Sequence, residues 1–139
     1  ALGALKNHPG QWSKIVRGIK EIISNISFIT GQKDMELIHR DIGYSNIIIG
    51  DDNIKYIIDF ELSSFMHPVW EIVQVMVGCQ DKEGFDTAFM QTETMQEIMQ
   101  DKNLRKLYRL FSIYCGIHVL STNPSGINPK KCINYALNI

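Results

Sequence analysis

The clearest pattern of apolar and polar positions lies in the middle of the chain. Residues 47–49 are three isoleucines, and residues 50–53, Gly-Asp-Asp-Asn, are typical turn formers. Residues 54–59 then carry Ile, Tyr and Ile at every second position, which is the period of a β-strand. The pattern predicts a β-hairpin with Asn46 at the base of its first strand and Asp59 at the end of its second.

Helical spacing of apolar residues predicts helices on both sides of this hairpin. The segment 68–77 is apolar on nearly every side, so we expect it to be buried. Residues 1–10 predict no clear element, 36–38 a short extended run, and 62–67 and 78–84 loops. Helices are predicted at 12–26, 68–77, 85–99, 104–118 and 129–137. The expected fold class is therefore α+β and mainly helical.

Composition limits the classes of function. The chain has 139 residues, 45% of them hydrophobic, which suits one modest domain. A net charge of -1 gives no electrostatic case for nucleic acid or an anionic membrane. No apolar run approaches the roughly 20 residues of a spanning helix. Cys79, Cys115 and Cys132 show no CxxC spacing, which is typical of reduced thiols and predicts a cytoplasmic protein.

Candidate chemistry lies at the open end of the hairpin. His39, Arg40 and Asp41 precede the first strand, Asn46 begins it, and Asp59 follows the second. Their order matches the kinase catalytic-loop pattern H-R-D-x-x-x-x-N with a later metal-binding Asp-Phe. We expect catalysis to rest on these loop residues and on the Asp after the hairpin.

Phosphoryl transfer explains these residue types. It requires a carboxylate that accepts or orients the proton of the attacking hydroxyl, a role we assign to Asp41. It also requires hard oxygen ligands for Mg²⁺, which Asn46 and Asp59 supply beside the phosphates of ATP. His39 and Arg40 are expected to shape the loop.

The loop resembles the aminoglycoside phosphotransferase and choline kinase group of small-molecule kinases. Gly43 and Ser45 lie inside it, where protein kinases usually carry Lys two residues after the catalytic Asp. Glu61 completes an Asp-Phe-Glu like that of choline-type kinases, where protein kinases prefer Gly. No A-P-E triplet and no long activation segment follow Asp59, which argues against a protein kinase.

A second segment supports the resemblance. Residues 66–73, Met-His-Pro-Val-Trp-Glu-Ile-Val, look like the group's D-P-A-Y-D-L-A segment, with Pro68 matching and Trp70 at the aromatic position. His67 replaces the first acid, and Glu71 replaces the second. The resemblance implies that Glu71 braces the catalytic loop.

The resemblance implies a fold and a set of partners. It makes 1–139 the large C-terminal lobe of a protein-kinase-like fold, with the catalytic hairpin at 36–61, a helical substrate side at 68–139, and no N-terminal ATP lobe. The acceptor is a small-molecule hydroxyl of the choline or aminoglycoside type, contacted from 85–139. Acidic residues there are sparse, so a strongly cationic aminoglycoside is not favoured. Self-association is expected through the exposed interlobe surface.

Two alternatives remain open at the level of sequence. The lobe is a catalytically inactive, kinase-like binding or regulatory module, or it is an unrelated helical domain whose hairpin mimics the motif. The intact Asp41, Asn46 and Asp59 argue against decay by mutation, whereas the absent small lobe argues for it. A full nucleotide site with its own glycine-rich loop is not predicted, because no GxGxxG occurs in the sequence.

Overall fold

The structure is a computed structural model that describes residues 2–51, 55–79 and 84–122. It is α+β and mainly helical, as the sequence predicts. Short 3₁₀ turns lie at Pro9–Gln11, Tyr44–Asn46 and Phe60–Leu62. The helices and strands follow in the order α1 (Leu2–Asn7), α2 (Trp12–Ser24), α3 (Ile26–Thr30), β1 (Glu36–Ile38), β2 (Ile47–Ile49), β3 (Lys55–Ile57), β4 (Ser64–Met66), α4 (Val69–Cys79), α5 (Phe85–Met90), α6 (Glu93–Gln100) and α7 (Lys102–Thr122).

The long helix α7 is the centre of the core. It packs against α1, α2, α4 and α6, and its buried residues include Leu107, Tyr108, Leu110 and Leu120. Asp101 caps the N-terminus of α7, because its Oδ1 accepts hydrogen bonds of 2.7 and 2.8 Å from the backbone N–H groups of Asn103 and Leu104. The predicted helix at 104–118 is therefore confirmed and extends further at both ends.

Helix α2 lies close against α7. A Cβ added to Gly18 would lie only 2.7 Å from Cγ2 of Ile113, so the two helices approach each other at a glycine. Beside this contact, Glu21 and Arg109 form an ion pair with a 2.6 Å contact between Oε1 and Nε. The hydrogen bond from this guanidinium to the carboxylate holds the pKa of Arg109 above its ordinary value.

The predicted hairpin is confirmed. Strands β2 and β3 pair antiparallel, with Ile47 opposite Ile57 and Ile49 opposite Lys55. A second antiparallel pair joins β1 and β4, with Ile38 opposite Ser64. The prediction of a loop over 62–67 is therefore wrong, because 64–66 finds its hydrogen-bond partner in β1, far back in the sequence.

The helices also differ from the prediction in three places. Residues 2–7, for which no element was predicted, form α1 and pack on α7. The predicted helix at 12–26 ends at Ser24, and the chain turns at Asn25 before α3. The predicted helix at 85–99 is two helices, because Thr92 caps α6 by accepting a 3.4 Å hydrogen bond from Met95 N.

Helix α4 is buried as predicted, with Val69, Trp70, Val73 and Met76 in the core. No helix within the described residues is long and apolar enough to cross a membrane. The predicted last helix at 129–137 and the thiol of Cys132 lie outside the described residues.

Candidate functional site

His39 fixes the start of the loop. It is buried, at 4% exposure, and the edge of its ring meets Phe60 with 4.6 Å between ring centroids. The backbone N–H of Asp41 donates to Nδ1 at 3.2 Å, so Nε2 carries the proton and donates to the Ile58 carbonyl at 2.7 Å. His39 therefore joins the loop to the end of the hairpin.

Arg40 is held in an unusual backbone conformation. Its φ of 70° is left-handed, a region that residues with side chains seldom adopt. The backbone N–H of Arg40 donates to Oε2 of Glu71 at 3.0 Å, and its Nη1 donates to the Leu62 carbonyl at 3.4 Å. Glu71 therefore contacts the loop in the place where the resemblance expects a bracing acid.

Asn46 and Asp41 are joined through their side chains. The Nδ2 group of Asn46 donates to the Asp41 carbonyl at 2.9 Å and to its carboxylate Oδ2 at 3.0 Å. Asn46 is buried, whereas Asp41 is exposed. The backbone N–H of Asn46 also donates to the Gly43 carbonyl at 3.0 Å and closes the turn. The result is a carboxylate that faces solvent in a fixed orientation.

Asp59 follows the second strand of the hairpin. The hydrogen bond from Ile58 N to the Asn46 carbonyl, 3.0 Å long, extends the strand pairing to the level of Asn46. Asp59 comes next, exposed and with left-handed φ and ψ of 66° and 63°. The hairpin therefore brings the backbone of Asp59 beside that of Asn46.

The donor types at this place fit a magnesium ion. The side-chain amide nitrogen of Asn46 donates to Asp41, so the side-chain oxygen Oδ1 of Asn46 is not used in that hydrogen bond. Asp59 adds an exposed carboxylate. Within the described ranges, no group of three or more His, Cys, Asp or Glu side chains is arranged to hold a metal. Two oxygen donors alone suit Mg²⁺, which retains water and phosphate oxygens in its other positions.

A cleft of about 290 Å³ opens beside Asp41. The loop segment 40–43 forms one wall, and side chains of α4 and α7 form the others. The lining residues that bear on its chemistry are Arg40, Asp41, Trp70, Gln74, Tyr114 and His118.

Aromatic rings give this cleft its shape. Trp70 packs against Phe111 and Tyr114, with ring centroids 5.1 and 5.3 Å apart. The rings of Tyr114 and His118 lie nearly parallel, with 4° between their planes and 6.3 Å between their centroids. The sequence pattern placed Trp70 only in a motif and His118 only at the end of the predicted helix 104–118. The signal for the cleft was present as two i, i+4 pairs, Trp70–Gln74 and Tyr114–His118.

The structure therefore joins five of the six candidate residues by side-chain or backbone hydrogen bonds: His39, Arg40, Asp41, Asn46 and Glu71. Asp59 is placed beside them by the hairpin. The chemical role of each residue stays a prediction. No protein-family model, curated protein or solved structure matches this chain.

Proposed function

We propose that this chain is the large lobe of an ATP-dependent kinase that phosphorylates a hydroxyl of a small molecule, similar to the aminoglycoside phosphotransferase and choline kinase group. One observation carries the proposal. The exposed Asp41 carboxylate is oriented by the buried Asn46 amide at 3.0 Å and borders a cleft of about 290 Å³. A carboxylate held in this way at the mouth of a cleft suits a group that orients a hydroxyl.

The reaction needs little covalent chemistry from the protein. The acceptor hydroxyl oxygen forms a bond to the γ-phosphorus of ATP, and the bond from that phosphorus to the bridging oxygen of ADP breaks. The hydroxyl proton passes to the carboxylate of Asp41 and then to solvent. His39, Glu71 and Asn46 hold the loop backbone, so the carboxylate is already oriented before the acceptor arrives.

The proposal includes a magnesium ion held by Asn46 and Asp59. When bound, the ion would offset the negative charge on the phosphates of ATP. An amide oxygen and one carboxylate leave most of its coordination positions for phosphate and water oxygens. The chain's own contribution is to place those two donors at the end of one hairpin.

A second lobe that covers the nucleotide is part of the proposal. The hairpin and the β1–β4 pair expose large apolar side chains, a surface that tends to gain a partner. The exposed residues include Leu37, Ile48, Ile49, Tyr56, Ile57, Phe60, Leu62 and Phe65. ATP would lie between this surface and the covering lobe, so the 139-residue chain by itself supplies one wall of the nucleotide site.

The test is an assay of ADP release with Mg-ATP and a panel of small alcohols, amino alcohols and sugars. It is run on the 139-residue chain and on the natural open reading frame that contains this sequence. Acceptor-dependent ADP release by the open reading frame, lost in Asp41→Asn, supports the proposal. No transfer to any acceptor by either protein, together with no binding of Mn²⁺ at residues 46 and 59, overturns it.

Turnover by the 139-residue chain alone would contradict the half-site interpretation while keeping the activity. Asp51→Asn is the matched control, because Asp51 is an exposed carboxylate in the turn at the far end of the same hairpin. The control variant should retain the activity of the unmodified protein.

A further inference from the structure

Two residues that line the cleft beside Asp41, Trp70 and Gln74, each carry a buried polar atom whose hydrogen-bonding capacity is unused. Among the residues that the structure describes, the indole Nε1 of Trp70 and the amide Oε1 of Gln74 are both buried without a hydrogen-bond partner. The Trp70 side chain is only 8% exposed, and its ring is held between Phe111 and Tyr114. A buried polar atom without a partner is unfavourable by about 1–3 kcal/mol. A ligand that supplies both partners is therefore favoured.

The two atoms need hydrogen-bond partners of opposite kinds. Trp70 Nε1 is a donor only, and Gln74 Oε1 is an acceptor only. A hydroxyl group serves as either, so a molecule with neighbouring hydroxyls satisfies both. A trimethylammonium group has no N–H or O–H and satisfies neither, although the aromatic rings alone would suit it.

The charges at the cleft agree with an uncharged ligand. Its lining holds one carboxylate, Asp41, and one guanidinium, Arg40, which donates to the Leu62 carbonyl at 3.4 Å. No second carboxylate is present in the described lining to pair with a polycationic acceptor. The opposite charges also leave no net positive field for a polyanionic one.

Tyr114 adds an exposed aromatic ring to the remaining wall of the cleft. The rings of Tyr114 and His118 lie within 4° of parallel, and Tyr114 is 48% exposed. The C–H face of a sugar ring or the carbon chain of a sugar alcohol can lie against such a surface while the hydroxyls reach Trp70 and Gln74.

We propose that the cleft binds an uncharged, hydroxyl-rich small molecule, a sugar or a sugar alcohol, with hydroxyls at Trp70 Nε1 and Gln74 Oε1 and another beside Asp41. The fate of the hydroxyl at Asp41 rests on the proposed function. The class of molecule that binds rests on the cleft alone.

The test is direct binding to the 139-residue chain without nucleotide. The chain has two tryptophans, so Trp12→Phe leaves a single indole N–H signal, that of Trp70, in a ¹H–¹⁵N spectrum. The probes are ribose, glucose, sorbitol, choline and kanamycin, each titrated separately. We expect at least one of the three uncharged probes to shift the Trp70 indole signal in a saturable way.

Gln74→Met removes the amide oxygen at similar volume and should weaken that binding about ten-fold, the loss of one hydrogen bond to a buried group. Gln96→Met is the matched control, because Gln96 is exposed on α6 and its amide donates to the Gln91 carbonyl, away from the cleft. It should leave the affinity unchanged. Trp70→Phe should also weaken binding, provided that its thermal unfolding stays cooperative.

Three results overturn the inference: saturable binding of choline or kanamycin but of no uncharged probe, polyol binding that Gln74→Met leaves unchanged, or no binding of any probe up to its solubility limit. Failure of the proposed function looks different. Polyol binding by the chain with no phosphate transfer by the open reading frame would retain the site and reject the kinase, whereas transfer to choline alone would retain the kinase and reject the polyol.

Discussion

The backbone N–H of Arg40 donates a 3.0 Å hydrogen bond to Oε2 of Glu71, which lies 31 residues later in the chain. This contact joins the loop that carries Asp41 to the first turn of α4. The same helix presents Trp70 and Gln74 to the cleft. One carboxylate therefore sets the distance between the proposed reacting group and the proposed acceptor site.

Glu71→Ala should destabilise the chain and loosen the loop. It leaves the partly buried Arg40 N–H without its partner, and a hydrogen bond to a charged group contributes about 1.5–3 kcal/mol. Glu71→Gln keeps an oxygen acceptor and should lose less. Urea unfolding measures both. Glu97→Ala, at an exposed position on α6, is the matched control, and equal loss in Glu71→Ala and Glu97→Ala would contradict the bracing role.

Asp59→Ala should remove most turnover of the open reading frame and leave the fold intact. Asp59 is exposed, so little packing is lost, but one of the two proposed magnesium donors disappears. In the 139-residue chain, Mn²⁺ should broaden the backbone signals around residues 46 and 59, and the variant should show less broadening. Near-normal kcat in Asp59→Ala would reject the metal assignment, with Asp51→Ala as the control.

Asp41→Asn should lower kcat by about 10²–10⁴-fold and change the KM for ATP little. The amide can still accept a hydrogen bond from Asn46, so the loop should keep its shape, but it is a poor acceptor for the hydroxyl proton. Steady-state kinetics with varied ATP separate the two parameters. A variant that loses ATP affinity with an unchanged chemical step would place Asp41 at the nucleotide instead.

The exposed apolar surface of the two strand pairs should cause the 139-residue chain to self-associate. Ile49 is 66% exposed and Phe65 is 71% exposed, on β2 and β4. Ile49→Glu and Phe65→Glu should shift sedimentation toward the monomer. Leu2→Glu, at a residue that is 85% exposed on α1, should not. If all three act alike, association does not depend on this surface.

His67 should make stability depend on pH. It is buried, and its Nδ1 accepts a 3.2 Å hydrogen bond from Val69 N. Burial lowers the pKa of His67 below the ordinary 6.5, although the Asp34 and Glu36 carboxylates partly oppose this. The unfolded chain therefore binds the proton first as the pH falls below 6.5, and stability declines from there until the folded protein is protonated too.

His67→Asn tests this pH dependence, because its side-chain oxygen can still accept from Val69 N but does not titrate. The difference in the free energy of unfolding between neutral and mildly acidic pH should shrink in this variant. His118→Asn, at an exposed position, should keep the dependence of the unmodified chain. An unchanged pH dependence in His67→Asn would show that another group is responsible.

Local pattern was sufficient for the hairpin and for much of α7. The three isoleucines of β2 and the alternating residues of β3 lie close in sequence, so their register follows from the turn between them. Strand β4 escaped prediction because its partner, β1, is distant in sequence and no turn signal joins the two.

The candidate site also has a part that local sequence predicts and a part that depends on tertiary packing. His39, Asp41 and Asn46 are close in sequence, and their fixed spacing was enough to predict that they lie together. The cleft depends on α4 packing against α7, a tertiary contact that no local pattern gives. Trp70 and Tyr114 meet only because of that packing, so the sequence predicted acceptor contacts only for the broad region 85–139 and did not identify the cleft.

Arg40 and Asp59 hold left-handed backbone, φ 70° and 66°, that glycine adopts with the least penalty. Arg40 carries about 1–2 kcal/mol of conformational strain, and Asp59 carries less because a short polar side chain tolerates this region better. Glycine at either position would relax the backbone but remove a guanidinium or a carboxylate. Thermostability and the proposed chemistry therefore favour different residues at these two positions. A laboratory selection for heat resistance alone would favour glycine at both positions. The selected variants would be more stable but would lack the Arg40 guanidinium and the Asp59 carboxylate.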